Sequence, residues 1–376
     1  MQRFMVSILM GMMLSSPAFA DARVYYPSND MLKQLFSYPN NCKEPCQPNQ
    51  SLEDTVKLYV SSSLKRDGYP GVTIDFGRIE PMYFINMEGD VPKRYGKKLS
   101  EFLDIGELAV DATQKMKADG KWRDDWRMML PLGLAIDRQK SVQLMHFPPT
   151  YVLTWDQDYL KARTTKRWAD LLVRNGVAKE ETDRYQTVID VAPIAAPSNA
   201  GSELGDSYDY FRNYARELIS NWTQGEVSGA QSRPLMAFGA PARHWLNDTY
   251  GLKMKNMEHS TVTMKDGRSV HVFAANHPSL MWNRIERYVD LPKYCKAKCD
   301  QTIDAKTLKN ATEITRMDLV AACWQAQMAG DANDNPSAVF EGCEAAWKQR
   351  SSEICTIFQQ QICSYNEGGE QSLLKE

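Results

Sequence analysis

Apolar and polar positions alternate along the chain in two periods, and the switches between them predict the elements. The stretch Ser51–Arg66 carries Leu52, Val56, Leu58, Tyr59 and Leu64 at helical spacing and is broken by Gly68, Pro70 and Gly71. Val72–Phe76 and Met82–Ile85 read as short strands on either side of a polar turn. Leu99, Phe102, Leu103, Leu108 and Met116 predict a helix between Leu99 and Asp119. Ser141–Phe147 and Tyr151–Thr154 read as strands separated by Pro148-Pro149, and Thr165–Asn175 as a helix with Gly176 at its C-cap.

The alternation continues beyond that helix. Thr187–Val191 is a β-branched strand ending near Pro193, and 206–222 is an amphipathic helix through Tyr210, Phe211, Tyr214, Leu218 and Ile219. Leu235–Phe238 is a strand meeting Gly239, with a helix over Pro241–Leu246. Ser269–Ala274 is a strand that stops at Asn276-His277-Pro278-Ser279, and a helix resumes at Leu280. Strands alternating with helices predict an α/β fold with a mainly parallel sheet flanked by helices. After about residue 292 the β-branched alternation is gone, and Thr312–Met328 and Ser337–Ile362 read as a disulfide-stapled helical hairpin with a polar tail behind it. The expected organisation is therefore three parts: 1–20, an α/β domain over 21–290 with an N-terminal extension rich in Pro, Asn and Cys, and a cysteine-rich helical tail over 291–376.

The first twenty residues have the form of an export signal. Arg3 supplies a positive start, Phe4–Leu14 an apolar stretch, and Pro17-Ala18-Phe19-Ala20 a small-x-small cleavage site, so removal after Ala20 is expected. That apolar run is short for a bilayer span, and no later stretch approaches the ~20 apolar residues a spanning helix needs. Export places the chain in an oxidising compartment, and the periplasm is the expected location. There the eight cysteines, Cys42, Cys46, Cys295, Cys299, Cys323, Cys343, Cys355 and Cys363, read as disulfides of undetermined pairing. Cys295-x3-Cys299 resembles a zinc ligand pair, but all five histidines precede it and no second tight pair follows, so no metal is expected.

Composition adds limits. A hydrophobic content of 43% suffices for packed cores, and a net charge of −2 removes any global electrostatic argument for nucleic acid. Binding to DNA would need a local basic face such as Lys161, Arg163, Lys166, Arg167 and Arg174, or Arg284, Arg287, Lys293, Lys296 and Lys298. Each of these also reads as a solvated helix face. Carboxylate groups at Glu80 and Glu88, or Asp124-Asp125 beside Trp122 and Trp126, have no spacing that fixes a glycosidase pair. Gly-x-Ser-x-Gly, Walker, His-Glu-x-x-His and Gly-x-Gly-x-x-Gly signatures are absent, and so is Cys-x-x-Cys.

One succession carries chemistry. The polar turn Asp156-Gln157-Asp158-Tyr159 follows a strand, Val188-Ile189-Asp190-Val191 ends another, Leu235–Phe238 meets Gly239, and Val272–Ala275 runs into Asn276-His277-Pro278-Ser279. Over about residues 140–290 this order resembles the uracil-DNA glycosylase-like superfamily. The resemblance implies a flipped base held at the strand tips. His277 would be the donor to the base oxygen, Asp158 the carboxylate facing sugar and water, and Asp190 the residue at the base-reading position. Tyr159 would be a stacking wall, and Pro278 and Ser279 a phosphate grip. The Gly and Pro that shape the family's first motif are missing at 156–159. Asp190 stands where the family usually has Asn, so it offers an amide-like donor only when protonated. No iron–sulfur cluster or other cofactor is implied.

Three readings follow for function. The first is an exported, non-catalytic component of an envelope or DNA-transfer assembly, contacting other envelope proteins or single-stranded DNA. The second is an extracytoplasmic nucleobase or nucleic-acid hydrolase of the N-glycosylase type. The third is a periplasmic solute-binding module or another hydrolase.

Overall fold

The computed structural model describes residues 22–26, 29–36, 52–79, 82–129, 138–147, 163–197, 200–225, 232–280, 291–294, 303–330 and 335–367. The expected export signal, Tyr151–Thr154, Asp158, Tyr159, Cys42, Cys46, Cys295, Cys299 and, beyond its first residue, the helix expected from Leu280 lie outside the described residues.

A five-stranded sheet organises the chain. Its strands are β5 (Val142–Met145), β6 (Thr187–Asp190), β8 (Leu235–Phe238), β9 (His259–Thr263) and β10 (Ser269–Ala275), in the order β6-β5-β8-β10-β9. β6, β5, β8 and β10 are mutually parallel, and β9 closes the edge antiparallel to β10. The two faces are written in the period-2 alternation of each strand. Leu235, Ala237, Val272 and Ala274 join one hydrophobic cluster, while Met236, Phe238, Phe273 and Ala275 join another.

Helices cover both faces. On the first lie α6 (Arg212–Trp222) and α7 (Gly239–Tyr250), burying Leu218, Trp222, Trp245 and Leu246. On the second lies α4 (Arg163–Arg174), burying Trp168, Leu171 and Leu172. This is a doubly wound arrangement. The helix expected over 206–222 is interrupted at Phe211, giving α5 (Ser207–Tyr210) and then α6.

The parallel character is confined to this sheet. A second, antiparallel sheet has the order β1-β3-β2, with β1 (Ala22–Tyr26), β2 (Thr73–Ile79) and β3 (Met82–Glu88). A third joins β4 (Arg127–Met128) antiparallel to β7 (Ile194–Ala195). The second sheet is served by α1 (Asn29–Leu35), α2 (Leu52–Arg66) and α3 (Lys93–Ala118). The stripe Tyr95, Leu99, Phe102, Ala109 and Met116 of α3 shares the cluster that backs the large sheet.

The C-terminal helices complete the second face of the large sheet. They are α9 (Ala305–Met328), α10 (Pro336–Gln349) and α11 (Ser351–Glu367), preceded by the short α8 (Leu291–Tyr294). The expected hairpin is thus three helices, because the chain turns again at Arg350 without a glycine or proline to mark the break. Asp304 caps α9 by accepting from the Lys306 and Thr307 N–H groups, and Asn335 caps α10 ahead of Pro336. Cys323 and Cys343 form a disulfide that ties α9 to α10, and Cys355 and Cys363 are also disulfide-bonded. Asp318 to Gln325 are buried without interruption, since α9 is wrapped by sheet, α4, α10 and α11. Gln325 meets the cost of its burial by donating to Ser141 Oγ (2.7 Å) and Tyr185 O (2.7 Å) and accepting from Trp168 Nε1 (2.6 Å). Among the described residues no helix is long and apolar enough to cross a membrane.

Candidate functional site

Four parallel strands deliver their C-terminal ends to one edge of the sheet. β5 runs into His146, β6 ends at Asp190, β8 meets Gly239, and β10 runs into Asn276 and His277. The chain passes from β5 to β6 across the second face and from β6 to β8 across the first, so the winding direction reverses beside β5. In open α/β sheets that reversal leaves a crevice at the strand ends. His146 stands at that switch point.

Pairing continues past the strand ends. Val191 N–H donates to Met145 O (2.9 Å) and Ala192 N–H to His146 O (3.0 Å), which fixes Asp190 beside Met145 and next to His146. On the other side, the His146 and His277 ring centroids are 5.7 Å apart with planes at 63°. Asp190 and His277 share the edge, but β5 and β8 lie between their strands. Three inter-strand steps separate them by about 14 Å. His146 fills that interval. Phe147 packs edge-on against it at 4.3 Å.

Gly239 sets the close approach at His277. Its φ of +83° is left-handed, and a Cβ there would lie 3.2 Å from His277 Cβ. Glycine is therefore required at the start of α7 for two independent reasons.

The protonation states follow from burial. His277 is held down to about 3 by burial, with His146 and Arg167 adding repulsion. His146 is held down to about 4 by burial alone. Both imidazoles are neutral at neutral pH. Ser279 N–H donates to His277 Nδ1 (3.2 Å), and Ser279 Oγ lies 2.6 Å from the same nitrogen. Nδ1 is therefore the acceptor, and the neutral ring carries its proton on Nε2. His277 is a fixed, uncharged N–H donor.

Asp190 is the opposite case. Burial pushes its carboxyl up to about 7, so a large fraction is protonated at neutral pH. It lies near Tyr208 and Tyr214, whose phenols are raised by burial first and by Asp190 second. Both hydroxyls are buried and make no hydrogen bond among the described residues. A protonated Asp190 presents an O–H donor and a C=O acceptor side by side, the pair an asparagine amide would offer.

Of the residues expected at the site, the structure brings His277, Pro278 and Ser279 into one loop and sets Asp190 at the same edge. The Ser279 N–H, expected to hold phosphate, is committed to His277. The Pro278 carbonyl accepts from Arg167 Nη1 (2.8 Å). Within the expected basic face, Arg167 is buried among protein groups, and Arg174 pairs with Asp170 at 3.1 Å. His146, Tyr208 and Tyr214 were not expected. The one local sign of His146 is its place at the end of the 141–147 strand before Pro148-Pro149. Among the described residues no group of three or more His, Cys, Asp and Glu side chains is arranged to hold a metal ion. Comparison with protein-family models, with curated proteins and with solved structures returns no match to this chain.

Proposed function

We propose that this is an exported, disulfide-bonded protein whose large sheet carries a uracil-DNA glycosylase-like recognition edge, acting without catalysis in an envelope or DNA-transfer assembly. The edge would hold a nucleobase, free or in single-stranded DNA, or a comparable planar group bearing carbonyl oxygens. The observation that carries the reading is the state of His277. A neutral ring with Nδ1 satisfied internally offers Nε2–H to an acceptor and stores no charge to be desolvated. Base cleavage would also need a carboxylate facing the sugar cation. Among the described residues the groups that act on His277 are His146 and Arg167, and Asp158, the carboxylate expected to face the sugar, lies outside them. The missing Gly and Pro at 156–159 favour holding a base over releasing it.

One observation favours the hydrolase as a second reading. Asp190, at about 7, lies in the range where a carboxyl exchanges protons efficiently at neutral pH. A single set of measurements separates the two. Purified mature protein is titrated with a fluorescent single-stranded oligonucleotide containing uracil, at two salt concentrations, and the same oligonucleotide is then assayed for abasic sites. Binding weakened about tenfold or more in His277→Ala, with no abasic sites, supports the binding protein; a lost donor to a carbonyl is worth that much. Abasic sites abolished by both His277→Ala and Asp190→Asn establish the hydrolase. Equal, weak and salt-insensitive binding by wild type and His277→Ala removes both. Export is tested by N-terminal sequencing, which should begin at Asp21, and the assembly by co-purification from envelope fractions.

A further inference from the structure

The C-terminal helices do more than cover the sheet. The residue before His277 and the residue after it are bonded to the same buried ion pair, and half of that pair belongs to α9. Arg167 on α4 donates through Nη2 to Asp318 Oδ2 (2.6 Å), and the two side chains are 2% and 0% exposed. Arg167 Nη1 donates to the Pro278 carbonyl (2.8 Å), and Nε to Gln361 Oε1 of α11 (3.3 Å). Asn276 Nδ2 donates to the other Asp318 oxygen (3.1 Å), while Asn276 Oδ1 accepts from Asn256 Nδ2 (2.9 Å). Gln361 Nε2 closes the network on Asp170 Oδ2 (3.1 Å).

Burying two opposite charges is an expensive way to stabilise a core, because well-packed apolar residues of similar volume do as well or better. What an ion pair supplies instead is direction. The planar guanidinium fork and the two carboxylate oxygens fix the angles at which their partners sit. Here those partners are the Asn276 side chain and the Pro278 carbonyl. His277 is held between them, with Gly239 close beneath. Asp318 is in turn fixed by α9, which the Cys323–Cys343 disulfide joins to α10.

We infer that the C-terminal helical layer is a positioning device for the His277 loop, acting through Arg167 and Asp318 as positioning residues. The inference rests on the reading of His277 as the ligand-facing donor. Its test needs no ligand, so the two fail separately.

Full-length mature protein, labelled with ¹⁵N, is compared with the double variant Arg167→Met/Asp318→Leu, which replaces both charges by apolar groups and leaves neither unpaired. The His277 ring nitrogens are followed by long-range ¹H–¹⁵N correlation across pH. The wild type should show a single Nε2–H tautomer that stays neutral down to about pH 4. The double variant should fold with an unchanged far-UV spectrum and show averaged tautomer shifts; its titration rises through the lost Arg167 repulsion alone, so the tautomer is the readout. His146, the other ionisable ring beside it, is read in the same spectra as the internal control. If the double variant does not fold, Asn276→Ala, which keeps the ion pair and removes one of the two holds, is read in the same way. A folded variant whose His277 keeps the single Nε2–H tautomer of the wild type overturns the inference. Oligonucleotide binding can be absent while the tautomer result holds, in which case the reading of the site fails and the positioning role stands.

Discussion

Substituting Gly239 by alanine tests the geometry of the sheet edge without reference to any ligand. Two costs act on the variant. The first is conformational, since a φ of +83° is left-handed and costs a Cβ-bearing residue about 1–2 kcal/mol, offset by about 0.4–1 kcal/mol of lost unfolded-state freedom. The second is contact. The new methyl would stand 3.2 Å from His277 Cβ, a few tenths of an ångström inside comfortable packing, at about 1 kcal/mol or somewhat more, and in ordinary contact with Pro241 Cδ at 3.8 Å. Gly176 is a natural control, because its φ is +88° and a Cβ there meets nothing within 4 Å. Gly176→Ala should therefore lose about 1 kcal/mol and Gly239→Ala about 2 kcal/mol. The measurement is urea unfolding of both variants, compared at equal m-value, with His277 ring shifts recorded alongside. Equal destabilisation of the two variants, with His277 shifts unmoved in Gly239→Ala, would refute the close approach and with it the geometry assigned to the edge.

Other outcomes follow from the same structure. Asp190 titrates near 7 in the folded chain against an ordinary value of 3.8, so the folded state holds more protons than the unfolded one between those limits and stability falls as pH rises through about 4 to 7. Asp190→Asn should remove that slope and be more stable than wild type at pH 8. The undiluted shift corresponds to about 4 kcal/mol, and partial exposure of the side chain reduces the expected gain to about 2 kcal/mol; stability curves at pH 4 and pH 8 that run parallel for the two proteins would contradict this. Replacing Cys323 and Cys343 together by serine opens a link between residues 20 apart in sequence. It should cost about 3 kcal/mol by denaturant unfolding under non-reducing conditions, and an unchanged midpoint would show that the bond constrains nothing.

The parts of the fold legible in the sequence are those with a local cause. Apolar runs at 141–147, 187–191, 235–238 and 269–274 are the four parallel strands, because a strand covered on both faces has little reason to place polar residues. The strand β1 and helix α1 fall in a segment dominated by Pro, Asn and Cys. β1 is held by pairing with β3, more than fifty residues on, a partner invisible to a local window. β9 was missed for a related reason: it is a half-exposed edge strand with a single buried valine, Val262. The candidate site divides in the same way. His277 and Asp190 were legible because strand ends are legible. His146 becomes a site residue only when β5 takes its place between β6 and β8, and the grip on Pro278 and Asn276 depends on Asp318, forty residues further along.

The placement of α9 to α11 also governs the order of events in folding. Met236, Phe238 and Phe273 belong to a sheet face whose cover includes Leu319, Trp324, Val339 and Ile357, all from the last quarter of the chain. A growing polypeptide therefore presents that greasy surface covered only by α4 and its neighbours until synthesis has passed residue 357. Fragments stopping near residue 304 should be captured by chaperones or aggregate, however complete their strands.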